Sequence, residues 1–444
     1  MKKIKIKKGH DINIAGKARI DSISEKFPET VSISPVEFNY IKPKLLIEEG
    51  QSIRIGEPIF YDKNNPSVKW PSLASGVIER IEFGERRAIL NIITRIDYES
   101  EKIQTSSTTN LSSREEVINF LLDKNLFPFI QMRPFDMVAN PAEKPKAIIV
   151  SFANTAPLGT DFNFSLSGEK KYITEGLKNL KHLTDGKIYV AVNSSQFDFV
   201  DDLEFVEKIF VEGPHPSGNI GVILNHVDPI NNKDIIWTIK PQHLVILGKA
   251  FSYGIYDFKT TINLAGPGVK NPSYISSRLG ANINNLCKDD LVDSSLRIIS
   301  GDVLTGKHTS IENFLGFYHS SISVILESFN RPFIGWLHPG GKSKYSVFNA
   351  YFGTNKKPFE FTTLQNGSHR ALVPIDSWEK VFPMNIYINA LVRSIEAGDF
   401  EEMEKLGIYE CSEEDVALCS FVCPSKTDVA GIIRKGLNMI YLDK

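Results

Sequence analysis

The sequence predicts a multidomain protein of mixed α/β and β class, and three observations lead there. Residues 30–96 are short apolar runs punctuated by Gly50, Gly56, Pro58, Pro66, Pro71, Gly76 and Gly84, the mark of tight turns between half-buried strands. Residues 147–248 alternate strand-like and helix-like periods. After Pro383 the apolar positions fall at helical spacing to the end. A chain of 444 residues with 42% apolar and 23% charged residues is globular and exceeds what one core can hold, so three or four domains of ~100 residues are expected.

The opening, Ile4-Lys5-Ile6-Lys7-Lys8, alternates strictly and reads as a strand with one buried face. It has the charge of a secretory n-region, but no apolar h-region follows before Asp11. In residues 1–100 the Glu49-Gly50-Gln51-Ser52-Ile53 and Pro71-Ser72-Leu73-Ala74-Ser75-Gly76-Val77-Ile78 segments suit a barrel-sandwich hybrid of lipoyl type. Lys63 could then carry a swinging cofactor, but its spacing to Gly76 is loose, and a scaffold role is the stronger reading. The polar stretch Thr105–Asn110 reads as a linker, and Ser112-Ser113 before Glu115-Glu116 as a helix N-cap.

The second unit, 101–255, is expected to be Rossmann-like. Its signals are strands at Ala147–Phe152, Lys187–Val192 and Ile209–Val211, a helix presenting Ile173, Leu177, Leu180 and Leu183, a short helix opening at Asp201-Asp202, and a further strand at His243–Gly248. The loop after its first strand, Ala153-Asn154-Thr155-Ala156-Pro157-Leu158-Gly159-Thr160-Asp161, lacks the glycines that let a backbone approach a pyrophosphate. Nucleotide binding is not expected. Residues 256–335, with the Thr260–Leu264 and Ile298–Ile299 runs, suit a β-grasp domain of the soluble-ligand-binding kind. Residues 311–380 mix aromatic strands with turns, and the unit 336–444 leads from that mixed segment into helices carrying Ile388, Leu391, Val392 and Ile395, then Val429, Ile432, Ile433, Leu437 and Ile440.

Between those helices, Cys419-Ser420-Phe421-Val422-Cys423-Pro424 ends like the ferredoxin ligand run C-x2-C-x2-C-x3-C-P, yet Glu413 and Val416 stand where the first two thiolates belong. Cys411 is out of register and Cys287 lies far upstream, so the C-terminal unit reads as a degenerate iron–sulfur domain. Two buried structural thiols are the simpler reading of Cys419 and Cys423. Ser412-Glu413-Glu414-Asp415 is a helix-capping signal.

Other motifs dissolve on inspection. Gly340-Gly341-Lys342-Ser343 would need a glycine where Trp336 stands to be a phosphate loop, and Gly266-Pro267-Gly268 runs into Asn271-Pro272 rather than a helix. None of the nine histidines has metal-ligand spacing; His215 and His226 read as loop histidines held by local hydrogen bonds. No catalytic, cofactor-binding or metal-ligating residue is assigned. His369 and Arg370, in Asn366–Pro374, are the candidate anchor for a quinone headgroup or an interface. A net charge of −2 excludes the footprint of a nucleic-acid binder. Four cysteines without paired spacing suit a reducing compartment. No apolar run approaches the ~18 residues that cross a bilayer, so work at a membrane would require another chain as holder.

Several segments in order resemble one family: Ile4–Lys17, Arg133-Pro134-Phe135, Lys146–Ser151, Asn154–Leu158, Gly213-Pro214-His215-Pro216, Asn366–Pro374 and Ala417–Pro424. The chain is similar throughout to the A subunits of the bacterial Na+-translocating NADH:quinone oxidoreductases (Na+-NQR). That resemblance implies a peripheral protein on the cytoplasmic side of the inner membrane, held by five other subunits, some integral to the membrane. Those partners would carry FAD, FMN, riboflavin and a 2Fe-2S centre, with ubiquinone as the substrate of the complex and no redox cofactor on this chain. It also implies a fold like that of the NADH- and FMN-binding subunit of respiratory complex I. The alternative is a self-sufficient iron–sulfur carrier of a ferredoxin-linked ion pump, and a third reading is a ligand-binding module.

Overall fold

A computed structural model describes residues 2–100, 111–194, 197, 203–340, 344–348, 357–373 and 376–443. The Thr105–Asn110 linker, the Asp201-Asp202 helix start, Gly341-Lys342-Ser343 and Pro374 lie outside the described residues.

The chain organises around a seven-stranded sheet in the order Lys2–Lys5, Val206–Glu212, Lys187–Val192, Ala147–Ser151, Ile236–Thr238, Gln131–Arg133, Met137–Val138. The first five strands run parallel and the last two add antiparallel at the far edge. Alternation along the central strand sends Ile148 and Val150 into one core and Ala147 and Ile149 into another. On the first face pack the helices Lys170–Leu180 and Pro241–Tyr253; on the second, Ile220–Val227 and the C-terminal helices Ile388–Ala397, Glu413–Val422 and Val429–Asp443. Both faces are covered, as a parallel sheet requires.

Two expectations are corrected here. His243–Gly248 is not a strand: it lies inside the helix Pro241–Tyr253, where Pro241 supplies an N-terminal start and Gly254, at φ +64°, the left-handed stop. The run Leu244–Leu247 is buried on all sides, so its helical period is invisible in hydropathy, and the strand that completes the parallel set is the shorter Ile236–Thr238. Where aromatic strands are expected over 311–380, the described residues form one strand, Ser321–Leu326, which carries no aromatic side chain, with turns and irregular chain around it. The alternating N-terminus is a strand with Ile4 buried and lysines exposed, but it extends the α/β sheet by pairing with Val206–Glu212.

Residues 30–96 form two facing sheets of four and three strands. Phe60 stacks on Trp70 at 4.6 Å between ring centres, both fully buried. Gly56, at φ +85°, lies so close to Tyr256 that a Cβ would sit 2.3 Å from its ring, which ties this unit to the α/β domain. Lys63 is exposed in the turn between Pro58–Asp62 and Asn65–Pro71. A third, six-stranded sheet has the order Lys307–Thr309, Leu296–Ser300, Ser321–Leu326, Lys259–Ala265, Ser273–Arg278, Ile23–Glu25, with the helix Ile283–Cys287 joining Ser273–Arg278 to Leu296–Ser300. An aromatic hub locks the units together. Phe317 lies 5.2 Å from Phe38 and 4.9 Å from Phe129, and His243 Nε2 donates to the Phe317 carbonyl at 3.1 Å. Burial pushes His243 down to about 3, so it serves there as a neutral donor.

Candidate functional site: a polar cleft at the sheet switch point

From Ala147–Ser151 the chain winds outward through two parallel strands, then returns on the other side as Ile236–Thr238. Open α/β sheets bind ligands where the order reverses, beyond the carboxyl ends of those strands. A cavity of about 150 Å³ lies there, walled by Ser151 and Asn154 after one strand, Lys240 after the other, His215, His319 and Glu414. Its walls come from the α/β unit, the unit of the six-stranded sheet and the C-terminal helices, and its size suits one six-membered ring.

Two histidines give the cleft its chemistry. The Thr155 hydroxyl oxygen accepts from the Gly218 N–H at 3.1 Å and hydrogen-bonds His215 Nδ1 at 3.3 Å. The Ser300 hydroxyl accepts from the Gly316 N–H at 2.9 Å and hydrogen-bonds His319 Nδ1 at 2.8 Å. Both rings are thereby oriented by a hydrogen bond at Nδ1. Burial drives both pKa values down, outweighing the opposing charge of Asp302 on His215 and of Glu37 on His319. His215 is 2% exposed and its Nε2 has no partner among the described residues, so the buried ring keeps one unpartnered nitrogen toward the cleft it lines.

Beside the cleft lies a buried ionic cluster. Arg133 donates to Asp415 Oδ2 at 2.9 Å, Glu414 Oε1 at 2.6 Å and Ser412 Oγ at 2.9 Å, with Asp136 at 3.4 Å. Arg434 pairs with Glu413 and lies 3.6 Å from Asp136, and Lys240 lies 3.9 Å from Glu414. Four carboxylates face three cations. Burial, with the surplus negative charge of Glu414 and Glu413 adding to it, lifts Asp136 to about 6 despite Arg133. Ser412 and Asp415 form a capping box, so the sequence signal at 412–415 is a cap and also one half of an interdomain ion cluster. Gly221 makes room for it, since a Cβ there would stand 2.1 Å from Asp415 Oδ2.

At the phosphate-binding position of such folds, Asp161 caps the four-residue helix Phe162–Ser165, accepting from Asn163 N at 3.0 Å and Phe164 N at 3.2 Å. A carboxylate already holds the amides that would greet a pyrophosphate. Cys411 and Cys419 are buried with thiols pushed up by burial. Burial also acts on Cys423, but hydrogen bonds from Thr427 and Ser425 outweigh it and leave that thiol below its usual range. Among the described residues no group of three or more His, Cys, Asp or Glu side chains could hold a metal ion.

The sequence-derived candidates do not converge. His369 and Arg370 are exposed on the loop that meets Ser425 through the Arg370 N–H at 3.1 Å, and neither is among the described residues lining the cleft. His226 is exposed and bonds the Val222 carbonyl within its own helix. His215 does line the cleft. Sequence reasoning misses Arg133, Lys240, Asn219, Asp302, His319 and Glu414 as site residues, and only the acidic run 413–415 gives a local signal.

Residues 4–97 match the NqrA N-terminal barrel-sandwich hybrid domain, 112–256 the NqrA second alpha/beta domain, and 261–310 the NQRA C-terminal domain. The Na(+)-translocating NADH-quinone reductase A subunit of Hahella chejuensis is 36% identical over 98% of this chain and 99% of its own. The proteins of the same name from Psychromonas ingrahamii and Tolumonas auensis are each 34% identical, over 98% and 99% of this chain and 99% and 100% of their own. A solved NAD+-reducing [NiFe]-hydrogenase overlaps 48% of this chain and 47% of its own at 10% identity and a TM-score of 0.35, too slight a likeness to carry a conclusion.

Proposed function

The chain belongs to the NqrA family, the A subunits of the Na(+)-translocating NADH-quinone reductases, and from that premise we propose that it is the peripheral member of such a complex that carries no redox centre of its own. The observation that carries this reading is identity of 34–36% sustained over 98–99% of the chain. FAD, FMN, riboflavin and 2Fe-2S centres then reside on five partner subunits, with this chain on the cytoplasmic side of the membrane. No described helix is long and apolar enough to cross a membrane, which suits a protein held by partners.

Two features support the absence of a centre here. The Asp161 carboxylate occupies the helix amides a flavin phosphate would need, and Cys419 is a buried thiol whose thiolate burial disfavours. The grasp reading of 259–326 draws on its strand order, in which the first and last strands pair in parallel at the centre. The reading of the C-terminal helices as a degenerate iron–sulfur domain draws on Cys419, Cys423 and Pro424. A quinone ring would hydrogen-bond the neutral imidazoles of the switch-point cleft, with His369 and Arg370 as the alternative anchor.

The isolated chain should show no flavin or iron–sulfur absorbance and no NADH oxidation. Within the complex, His215→Phe should raise the KM for a short-chain ubiquinone and leave NADH oxidation by an artificial acceptor unchanged. A tightly held flavin or cubane on this chain would overturn the reading, and an unchanged quinone KM would remove the cleft from it.

A further inference from the structure

The segment after the strand Ser321–Leu326 turns its apolar side chains to solvent. Phe329 is 82% exposed, Phe333 89% and Leu337 64%, with Ile334 exposed between them and Phe348 beyond. Large apolar residues this open within nine positions are unusual on a soluble surface, where exposed apolar groups are scattered singly. The charge pattern around them is equally one-sided. From Phe329 to Phe359 the sequence has no Asp or Glu and five cations: Arg331, Lys342, Lys344, Lys356 and Lys357. The net charge of the whole chain is −2, so this stretch departs from the rest of it. Arg331 and Lys357 are exposed in the structure.

Aromatic and aliphatic side chains beside cations, with no acid among them, are what a bilayer interface of anionic lipid selects: the rings enter the acyl boundary while the cations meet phosphates. A protein groove would instead demand a rigid, shape-complementary face of ~800 Å². This segment offers one short turn, Gly335–Leu337, preceded by Ile334 in left-handed backbone at φ +47°. A fluid interface tolerates that irregularity, and at headgroup depth water still satisfies the backbone.

We propose that residues 329–337, with Arg331 and Lys357, form a direct membrane contact of this chain, seated in an anionic lipid surface. It goes beyond the family reading, which supplies only the expectation that a bilayer is near.

The test is flotation of the full-length chain with phosphatidylglycerol-containing vesicles and with pure phosphatidylcholine vesicles. The wild type should float with the anionic vesicles, less so as salt rises, and little with the neutral ones. The triple variant Phe329→Ser, Phe333→Ser, Leu337→Ser should lower binding at least ~10-fold. The double variant Arg331→Glu, Lys357→Glu should lower it ~25-fold, about five-fold for each cation lost. All five side chains are exposed, so the urea midpoint should not move. A wild type that stays with the unbound fraction, or variants that float like it, would overturn the proposal. So would variants that float normally yet fail to rejoin the membrane subunits, since the patch would then be a protein interface. None of these readouts depends on activity of the complex, so a failure here leaves the family reading standing.

Discussion

Arg133 ties the edge of the α/β sheet to the helix Glu413–Val422, and Arg133→Met should loosen the C-terminal helices more than any other single change near the cleft. The guanidinium is 3% exposed and donates to two carboxylates and one hydroxyl at 2.6–2.9 Å. Methionine keeps most of the stem, so the loss is chiefly electrostatic. Removing one partner of a buried ion pair costs about 3–5 kcal/mol, because the remaining charges stay in low dielectric unpaired. Here Asp415 is left without a cation, while Glu414 and Asp136 keep only Lys240 at 3.9 Å and Arg434 at 3.6 Å. They can recover only by binding protons, so the loss should be largest at pH 8 and smaller near pH 5.5. Native-state hydrogen exchange reads this directly: amide protection in Glu413–Val422 and Val429–Asp443 should fall by two to three orders of magnitude at pH 8. A loss below about 1 kcal/mol at pH 8, or one that does not change with pH, would show that the cluster is solvated and refute the argument.

The remaining predictions concern the same architecture. Gly221→Ala should destabilise by roughly 2 kcal/mol despite alanine's better helix propensity, since its Cβ would meet Asp415 Oδ2 at 2.1 Å; a thermal melt that rises would contradict the close approach. Asp136 has a folded pKa raised from 3.8 to about 6, so between those values the folded state binds the extra proton and stability falls as pH rises. Asp136→Asn should abolish that slope, worth at most ~3 kcal/mol, in urea titrations at pH 4 to 6.5. His243 has the opposite sign: lowered from 6.5 to about 3, it takes up a proton only on unfolding, so its contribution is lost as pH falls below 6.5. His243→Leu should flatten that acid limb, and an unchanged limb would mean the ring titrates normally in the fold.

How much of this is legible in the sequence depends on whether the signal is local. The helix Lys170–Leu180 has one apolar stripe against charged positions, and Ser113 and Ser412 cap helices where their spacing indicates. The Pro241–Tyr253 helix carries no such contrast, because both its faces are buried, and hydropathy alone reads it as a strand; only its proline and glycine limits mark it as a helix. The strand Lys2–Lys5 declares its buried face but not its partner, which lies some 200 residues onward. The cleft is illegible for the same reason. His215, His319 and Glu414 come from three units, and the property that matters, an unpartnered Nε2 on the buried His215 ring, arises from packing between those units.

The charges around the cleft also decide what it can take. Glu414 and Asp302 line it, Lys240 is already engaged by Glu414, and Asp161 closes the nearby helix N-terminus. A pyrophosphate would bring further negative charge against two carboxylates, and the cations beside them, Lys240 and Arg133, are both already engaged by Glu414. At about 6 Å and an effective dielectric near 20, each like-charge pair costs about 3 kcal/mol. A neutral ring with carbonyl acceptors meets no such term and can receive hydrogen bonds from neutral imidazoles. The isolated chain should therefore bind a short-chain ubiquinone in preference to NADH or ADP-ribose in equilibrium dialysis. Glu414→Gln, which removes one carboxylate, should narrow that preference. Saturable dinucleotide binding by the wild-type chain, tighter than its quinone binding, would show that the carboxylates do not set the selectivity of the cleft.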